Sequence, residues 1–543
     1  MASLAITTAL FGLTVFLAKW LFLDSLILSP LRHIPGPKIF AVTKWRLAYE
    51  DWKGTRTRTI NKLHQIYGPA VRIGPSEVSF NSLTVLRTIY GPGSGYGRTA
   101  FYRMFDVYGR QNLFTFYSPK QHGERKKLLA HAYSKSVMLK EPVTSMVEDK
   151  ARQYICLIES EPENISEVFS TLHYYSLDNI TEVIYGRYGS TSAMEGLESH
   201  RALISDILNP ARRRLSWFAV HSPTLTQWLY TRTGLMGRLV KPLLPMQKPA
   251  TYSSIREFAL QAYRNFQLGS TNKETGNFYQ QVKGKESFIV SRLWPYHLSK
   301  KTDGLDDLDI ASECSDHFLA GIDTTSDTLM FLIWALSLPE NQKVQEKLRQ
   351  EVLNLPPESL NRKGFPMAET SDKCIYLNAV IKETLRLYAP LPATEPRSLP
   401  VRSVIDGYVI PGHTTVGMCP YTLHRKPEIF KDPLTFNPDR WLEPQAFDIN
   451  KWFWAFSSGG RMCIGIHLAM VEMTTLIATV DRKPSLGATP ALIMLPTNAQ
   501  LSLETELPLS KRLELAFNAW KAAEGALSCW KALTPVEEEE LHN

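Results

Sequence analysis

Phe456-Ser457-Ser458-Gly459-Gly460-Arg461-Met462-Cys463-Ile464-Gly465 is the stretch whose reading decides the fold. One cysteine stands in a glycine-flanked turn, with an arginine two residues before it. The apolar run Ile466-His467-Leu468-Ala469-Met470-Val471 that follows reads as the start of a helix. A sulfur at such a position gains from the free N–H groups and partial positive charge of the helix N-terminus, so it is expected to stay ionised and to be able to ligate a metal. The glycines let a large flat group approach the backbone, and Arg461 offers a fork of donors to a carboxylate. A buried structural cysteine is the plain alternative. A zinc site built on Cys463 and His467 fails because no second Cys/His pair lies at ligand spacing.

Phe456, Gly459, Arg461, Cys463 and Gly465 fall in register with Phe-x-x-Gly-x-Arg-x-Cys-x-Gly, and the stretch resembles the haem-binding signature of cytochromes P450. The resemblance implies that Cys463 is the axial thiolate ligand of the iron of haem b. It also implies that Arg461 pairs with a haem propionate and that Gly465 gives the porphyrin room. A thiolate ligand pushes electron density onto the iron.

The 543 residues could hold several domains or one large one. With 44% hydrophobic and 21% charged residues, most of the chain can bury a core. Cys156, Cys314, Cys374, Cys419, Cys463 and Cys529 show no pairing rhythm, which argues for a reducing compartment. The net charge of +8 comes without a basic stripe or recognition motif, so no nucleic-acid partner is expected. A membrane surface or an acidic protein partner explains the charge as well.

Residues 4–28 are mostly apolar, interrupted by Lys19 and Asp24, and are long enough to span a bilayer if Lys19 snorkels. A cleaved signal peptide fits less well, lacking a basic n-region and a clear cleavage site. Arg32 and Lys38 beyond the segment place the body in the cytosol, where the sequons at Asn164 and Asn179 stay unmodified. Pro30-Leu31-Arg32-His33-Ile34-Pro35-Gly36-Pro37 breaks any helix, reads as a stiff spacer, and resembles the hinge of microsomal P450s. The expected organisation is an anchor over 1–28, a hinge over 29–45, a catalytic domain over 46–508 and an atypical tail over 509–543. In that tail an amphipathic pattern precedes Glu537-Glu538-Glu539-Glu540. The stretch from Arg482 to Ser502 fits the family pattern poorly.

Val71-Arg72-Ile73 and Val78-Ser79-Phe80 flank Gly74-Pro75 as a β-hairpin, and 401–416 alternates as a small sheet. The glycine-rich run from Gly91 to Gly97 lacks phosphate-loop spacing and reads as a loop. Ala311 to Leu336 reads as a long helix containing Ala320-Gly321-Ile322-Asp323-Thr324-Thr325. A threonine there can bond the carbonyl four residues back and bend the helix, setting an acid and a hydroxyl in an apolar rod. A capping or solvent-facing cluster is the alternative. The segment resembles the family's oxygen-activating pattern, which implies a proton-relay role for Asp323 and Thr324.

A helix from His122 resembles the family's propionate-binding Trp-x-x-x-Arg helix, with His122 and Lys126 in those two positions and Arg125 beside them; a solvated basic face is the alternative. Arg397 lies where the family places another propionate-binding arginine. Glu383 and Arg386, three apart on one helix face, form by themselves an ordinary surface pair. With Arg440 they resemble the family's structural Glu-x-x-Arg triad.

The resemblance implies a mainly α P450 fold with a small β-rich part, preceded by one transmembrane helix. It implies a monooxygenase that inserts one atom of O2 into a hydrophobic small molecule, with electrons from NADPH-cytochrome P450 reductase and cytochrome b5 as an optional second donor. The protein would sit in the endoplasmic reticulum membrane with its body in the cytosol. The motif wording is most like filamentous-fungal enzymes of secondary metabolism. An isomerase or dehydratase on the same fold, or a haem binder without turnover, are the other readings.

Overall fold

The computed structural model describes residues 6–8, 11–12, 15–16, 19–160, 167–208, 210–240, 252–271, 289–297 and 304–483. The 509–543 tail, the stretch from 484 to Ser502, Cys529, Asn164 and much of the expected anchor lie outside them.

The expected hairpin forms. Strands β1 (Ala70–Gly74) and β2 (Glu77–Phe80) pair antiparallel, with Ala70 opposite Phe80. They join β3 (Gly97–Arg98), β4 (Arg397–Ser398) and a later strand in one sheet. Before that strand, β5 (Ser403–Ile405) and β6 (Tyr408–Ile410) form a separate hairpin. Its Asp406-Gly407 turn has positive φ at both residues (46° and 81°), as a two-residue type I′ turn requires. β7 (Thr415–Gly417) completes the larger sheet in the order β1-β2-β7-β4-β3, with β2 and β7 parallel. The alternating 401–416 segment is thus divided between two sheets.

The proline-rich stretch is not a free spacer. Leu31 and Ile34 are buried with Ala70 and Val78, and the Arg72 amide donates to the Pro35 carbonyl at 2.8 Å. Two apolar side chains among the prolines suffice to strap the segment onto the sheet.

The helices that frame the interior are α1 (Pro119–Leu129), α2 (Val143–Ser160), α3 (Val168–Tyr185), α4 (Ser253–Thr271), α5 (Asp307–Ser337), α6 (Ile375–Leu387) and α7 (Ile466–Arg482). α1 starts earlier than its charge pattern indicates, because Ser118 caps it and Pro119 occupies the first turn, where a missing N–H costs nothing. α5 opens on a capping box between Asp306 and Asp309. It is buried almost throughout and packs tightly against α3: a Cβ added at Gly321 would lie 2.4 Å from Ile180. The glycine therefore serves close helix approach rather than a bend. Asn179, one of the two sequons, is buried on α3 and bonds the Tyr175 carbonyl, out of reach of a glycan.

The fold is mostly helical with a small sheet part. Lys19–Ile27 forms a short π-helix, and among the described residues no helix is long and apolar enough to cross a membrane.

Candidate active site

The cysteine loop is seated on the N-terminal part of the chain. Gly459 has φ +62° and lies so close to the helix end at Tyr90 that a Cβ would sit 2.2 Å from the Tyr90 carbonyl oxygen. Any other residue there would push the loop off its seat. The Ser458 hydroxyl donates to the same carbonyl at 3.3 Å. The Cys463 amide donates back to the Phe456 carbonyl at 2.9 Å, closing the loop just before α7 begins.

Backbone N–H groups of Gly465 and Ile466 face the Cys463 sulfur, as the turn-into-helix reading requires. Burial works against a thiolate charge there. Cys463 keeps accessible surface, but burial of the sulfur is the largest influence and pushes its pKa above the ordinary thiol value, outweighing the two N–H groups and the Lys126 charge. In this environment a bound metal must supply the remaining bias toward thiolate. A Cβ at Gly465 would meet no atom within 4 Å, so that side of the turn is open beside the sulfur.

Around this turn the chain collects positive charge. Lys126 donates to the carbonyls of Gly460 (3.0 Å) and Met462 (2.8 Å). Arg461 donates through Nη2 to the Tyr117 carbonyl, while its Nε and Nη1 are buried without partners. Arg397 is buried and held by Glu395 and the Tyr102 hydroxyl. Arg98 lies over the rings of Tyr102 and Phe114 at 4.5 and 4.4 Å, with its Nε buried and unpartnered. His122 is buried among them: burial, then Arg461, Arg98, Lys126 and Arg397, lower its pKa to about 3, so the imidazole is neutral. Burial and the neighbouring arginines likewise lower Arg461 to about 9 and Arg98 to about 10. Of these four cations Arg397 is paired with Glu395, Arg98 feels Glu395 and Asp316 from a distance, and guanidinium N–H groups of Arg461 and Arg98 are left unanswered. Such a cradle fits a flat group carrying anionic carboxylates beside the sulfur, and haem with its propionates has that chemistry.

Arg125, the other candidate on α1, points elsewhere. It donates to Glu313 of α5 at 2.5 Å, and both side chains are buried. Burial opposes the Glu313 charge, but His317, Arg125 and the Leu113 amide outweigh it and hold the carboxyl below its usual range.

On α5 the Thr324 hydroxyl donates to the Ala320 carbonyl at 2.9 Å, the back-bond its sequence position predicts. Ala320 is exposed in the middle of an otherwise buried helix. Asp323 is turned toward α3, where its Oδ1 lies 4.0 Å from Nε2 of the buried His173. The acid and the hydroxyl are sequence neighbours, but the acid has a histidine partner the sequence pattern did not disclose.

Glu383, Arg386 and Arg440 converge with no solvent exposure beyond a few per cent. Glu383 accepts from Arg386 (2.8 and 2.9 Å), Arg440 (3.1 Å), Trp441 Nε1 (3.0 Å) and the Asn437 amide (2.9 Å). Arg386 also bonds the carbonyls of His424 and Pro433. A surface-pair reading of Glu383 and Arg386 is therefore wrong, because α6 turns them inward.

Sequence reasoning missed Arg98, Glu395 and Glu313. Arg98 carries no local signal beyond Tyr96-Gly97, and Glu395 reads only as a neighbour of Pro396.

Residues 35–483 match the family described as Cytochrome P450. Among characterised proteins, the chain is similar to cytochrome P450 monooxygenase orf2 of Aspergillus niger, with 28% identity over 454 residues that cover 82% of this chain and 84% of the relative. It is 29% identical over 464 residues to cytochrome P450 monooxygenase stcB of Emericella nidulans, covering 84% and 82%. With cytochrome P450 monooxygenase FGM1 of Gibberella zeae the identity is 24%, but the match spans 93% and 96% of the two chains.

Proposed function

Because this chain belongs to the cytochrome P450 family and is a haem-thiolate monooxygenase by class, we propose that Cys463 is its iron ligand and that it inserts one oxygen atom from O2 into an apolar small molecule. When bound, haem supplies the iron at which O2 is activated. The chain supplies the rest. The N–H groups of Gly465 and Ile466 and the charge of Lys126 favour the Cys463 thiolate. Arg461, Arg98, Lys126 and Arg397 hold the propionate edge. Thr324, tied to Ala320, and Asp323, set against His173, would hold and pass protons. The rings of Tyr102 and Phe114 cover the Arg98 guanidinium. Glu383, Arg386 and Arg440 are structural.

Electrons come from NADPH through a separate reductase, with NADPH-cytochrome P450 reductase, and cytochrome b5 as a second donor, as the proposed partners. The apolar residues 4–28 anchor the protein in the endoplasmic reticulum membrane, with the body in the cytosol; Lys19, Arg32 and Lys38 support that orientation. The motif wording and the fungal relatives support a place in secondary metabolism.

The observation that carries the reading is the glycine-seated Cys463 loop inside a cradle of buried (Arg98, Arg397) and half-buried (Lys126, Arg461) cations. The reduced, CO-treated protein should show the red-shifted band that thiolate-ligated haem gives, and Cys463→Ala should abolish it. A retained band would overturn the assignment.

A further inference from the structure

The cysteine loop and α1 are tied to each other in both directions. Arg461 donates through Nη2 to the carbonyl of Tyr117, just ahead of α1, and Lys126 of α1 donates to the carbonyls of Gly460 and Met462. These two carbonyls flank Arg461, and the second belongs to the residue just before Cys463. An ammonium is a compact point charge with three donors and can sit between two carbonyl oxygens, whereas a guanidinium fork is shaped for a carboxylate. Lys126 thus commits two N–H groups to the loop and keeps one for a propionate. Among the described residues no carboxylate forms an ion pair with it, so its charge is not cancelled. Burial raises the Cys463 pKa and lowers that of Lys126, and each of the two acts on the other in the opposite sense, so the charge is felt at the sulfur.

Resting on the haem-thiolate reading above, we propose that Lys126 is a positioning residue that sets the reduction potential of the thiolate-ligated iron from the side of the cysteine loop, beyond its share in the propionate edge. The step concerned is the transfer of one electron from the separate reductase to ferric iron, giving ferrous iron; no covalent bond forms or breaks. Reduction adds a negative charge to the centre, and a fixed positive charge beside the thiolate favours that form. The two carbonyl bonds hold the ammonium in place through the change. A lysine standing where the family pattern has an arginine therefore moves part of the helix's charge from the cofactor's carboxylates to its sulfur ligand.

The test uses the haem-loaded full chain and three substitutions. Lys126→Arg keeps the charge, Lys126→Gln keeps an N–H donor for the carbonyls without the charge, and Lys126→Met removes both. Two readouts do not depend on turnover: the reduction potential from a spectroelectrochemical titration, and the C–O stretching frequency of the reduced, CO-bound protein. Lys126→Gln and Lys126→Met should each shift the reduction equilibrium about tenfold or more toward ferric iron, ~59 mV more negative for a one-electron couple. Both should lower the C–O stretch, because a more electron-rich iron donates more density to CO. Lys126→Arg should hold both readouts near the wild-type values. A wild-type potential in Lys126→Gln overturns the proposal, as does a shift in Lys126→Arg as large as that in Lys126→Gln. A shift in Lys126→Met that Lys126→Gln does not share also overturns it, since loop geometry and not charge would then be the cause. A normal red-shifted CO band in the same preparations shows that such a failure belongs to Lys126 and not to the Cys463 assignment.

Discussion

Arg125 and Glu313 form a buried ion pair at 2.5 Å that ties α1 to α5 beneath the ring of Phe116. This takes Arg125 away from the cofactor cradle and leaves Lys126 beside the cysteine loop. Removing one partner of a buried pair leaves an uncompensated charge, at about 3–5 kcal/mol. Arg125→Met should lower the thermal midpoint by several degrees, while the folded fraction keeps its haem. Haem loss at unchanged stability would put Arg125 in the cradle after all.

Arg461 and Arg98 each hold buried N–H groups without protein acceptors. A hydrogen bond to a charged group contributes about 1.5–3 kcal/mol, roughly a tenfold to hundredfold change in affinity. Arg461→Leu and Arg98→Leu should each speed haem transfer to an excess of apomyoglobin by at least that lower factor. Unchanged transfer rates in both would remove them from the propionate edge.

Thr324→Ala deletes the hydroxyl bonded to Ala320. The CO-bound band and NADPH consumption should persist, while product per NADPH falls ~10-fold or more, the scale of one general-acid contribution. Thr324→Ser should recover most of the coupling. Full coupling in the alanine variant would favour the isomerase or dehydratase alternative.

Glu472 on α7 is buried, and burial, only partly offset by the Thr325 hydroxyl, raises its pKa from 4.5 to about 8. The fold thus binds this proton more tightly than the unfolded chain does. The associated stability is fully present below about pH 4.5 and is lost as pH rises through about 8. Glu472→Gln should flatten the fall in thermal midpoint between pH 5 and pH 8.5. An equal fall in both proteins would mean that Glu472 is not protonated in the fold. Asp481, raised to about 7 on the same helix, should leave a residual slope.

The anchor makes a separate prediction. Carbonate washing should leave the full-length protein in microsomal membranes, and protease added outside sealed microsomes should digest its body. Protection from that protease would reverse the topology.

What the sequence disclosed was mainly what fixed spacing encodes. The turn at Cys463, the back-bond of Thr324 and the hairpin at Gly74-Pro75 each depend on residues a few positions apart. Glu383 and Arg386 were visible as a pair, but their burial depends on Arg440 and Trp441, more than fifty residues on. Arg125 with Glu313, and Asp323 with His173, were hidden because their partners are far apart in the chain and none is unusual in its own segment. The charge of the thiol was half legible for a different reason: the helix N-terminus that favours the thiolate is local in sequence, whereas the burial that opposes it is a property of the assembled interior. Leu31 and Ile34 likewise look like spacer residues until β1 and β2 are present to cover them.

The seat of Gly459 on Tyr90 also bears on how the protein is made. Tyr90 and Ser458 are 368 residues apart, so a chain emerging from the ribosome completes the seat long before the loop that rests on it exists. Contacts this remote close late and slowly. Cofactor capture is therefore expected to be among the last events of maturation, and a chain whose synthesis stops before residue 456 should contain most of its helices yet remain colourless.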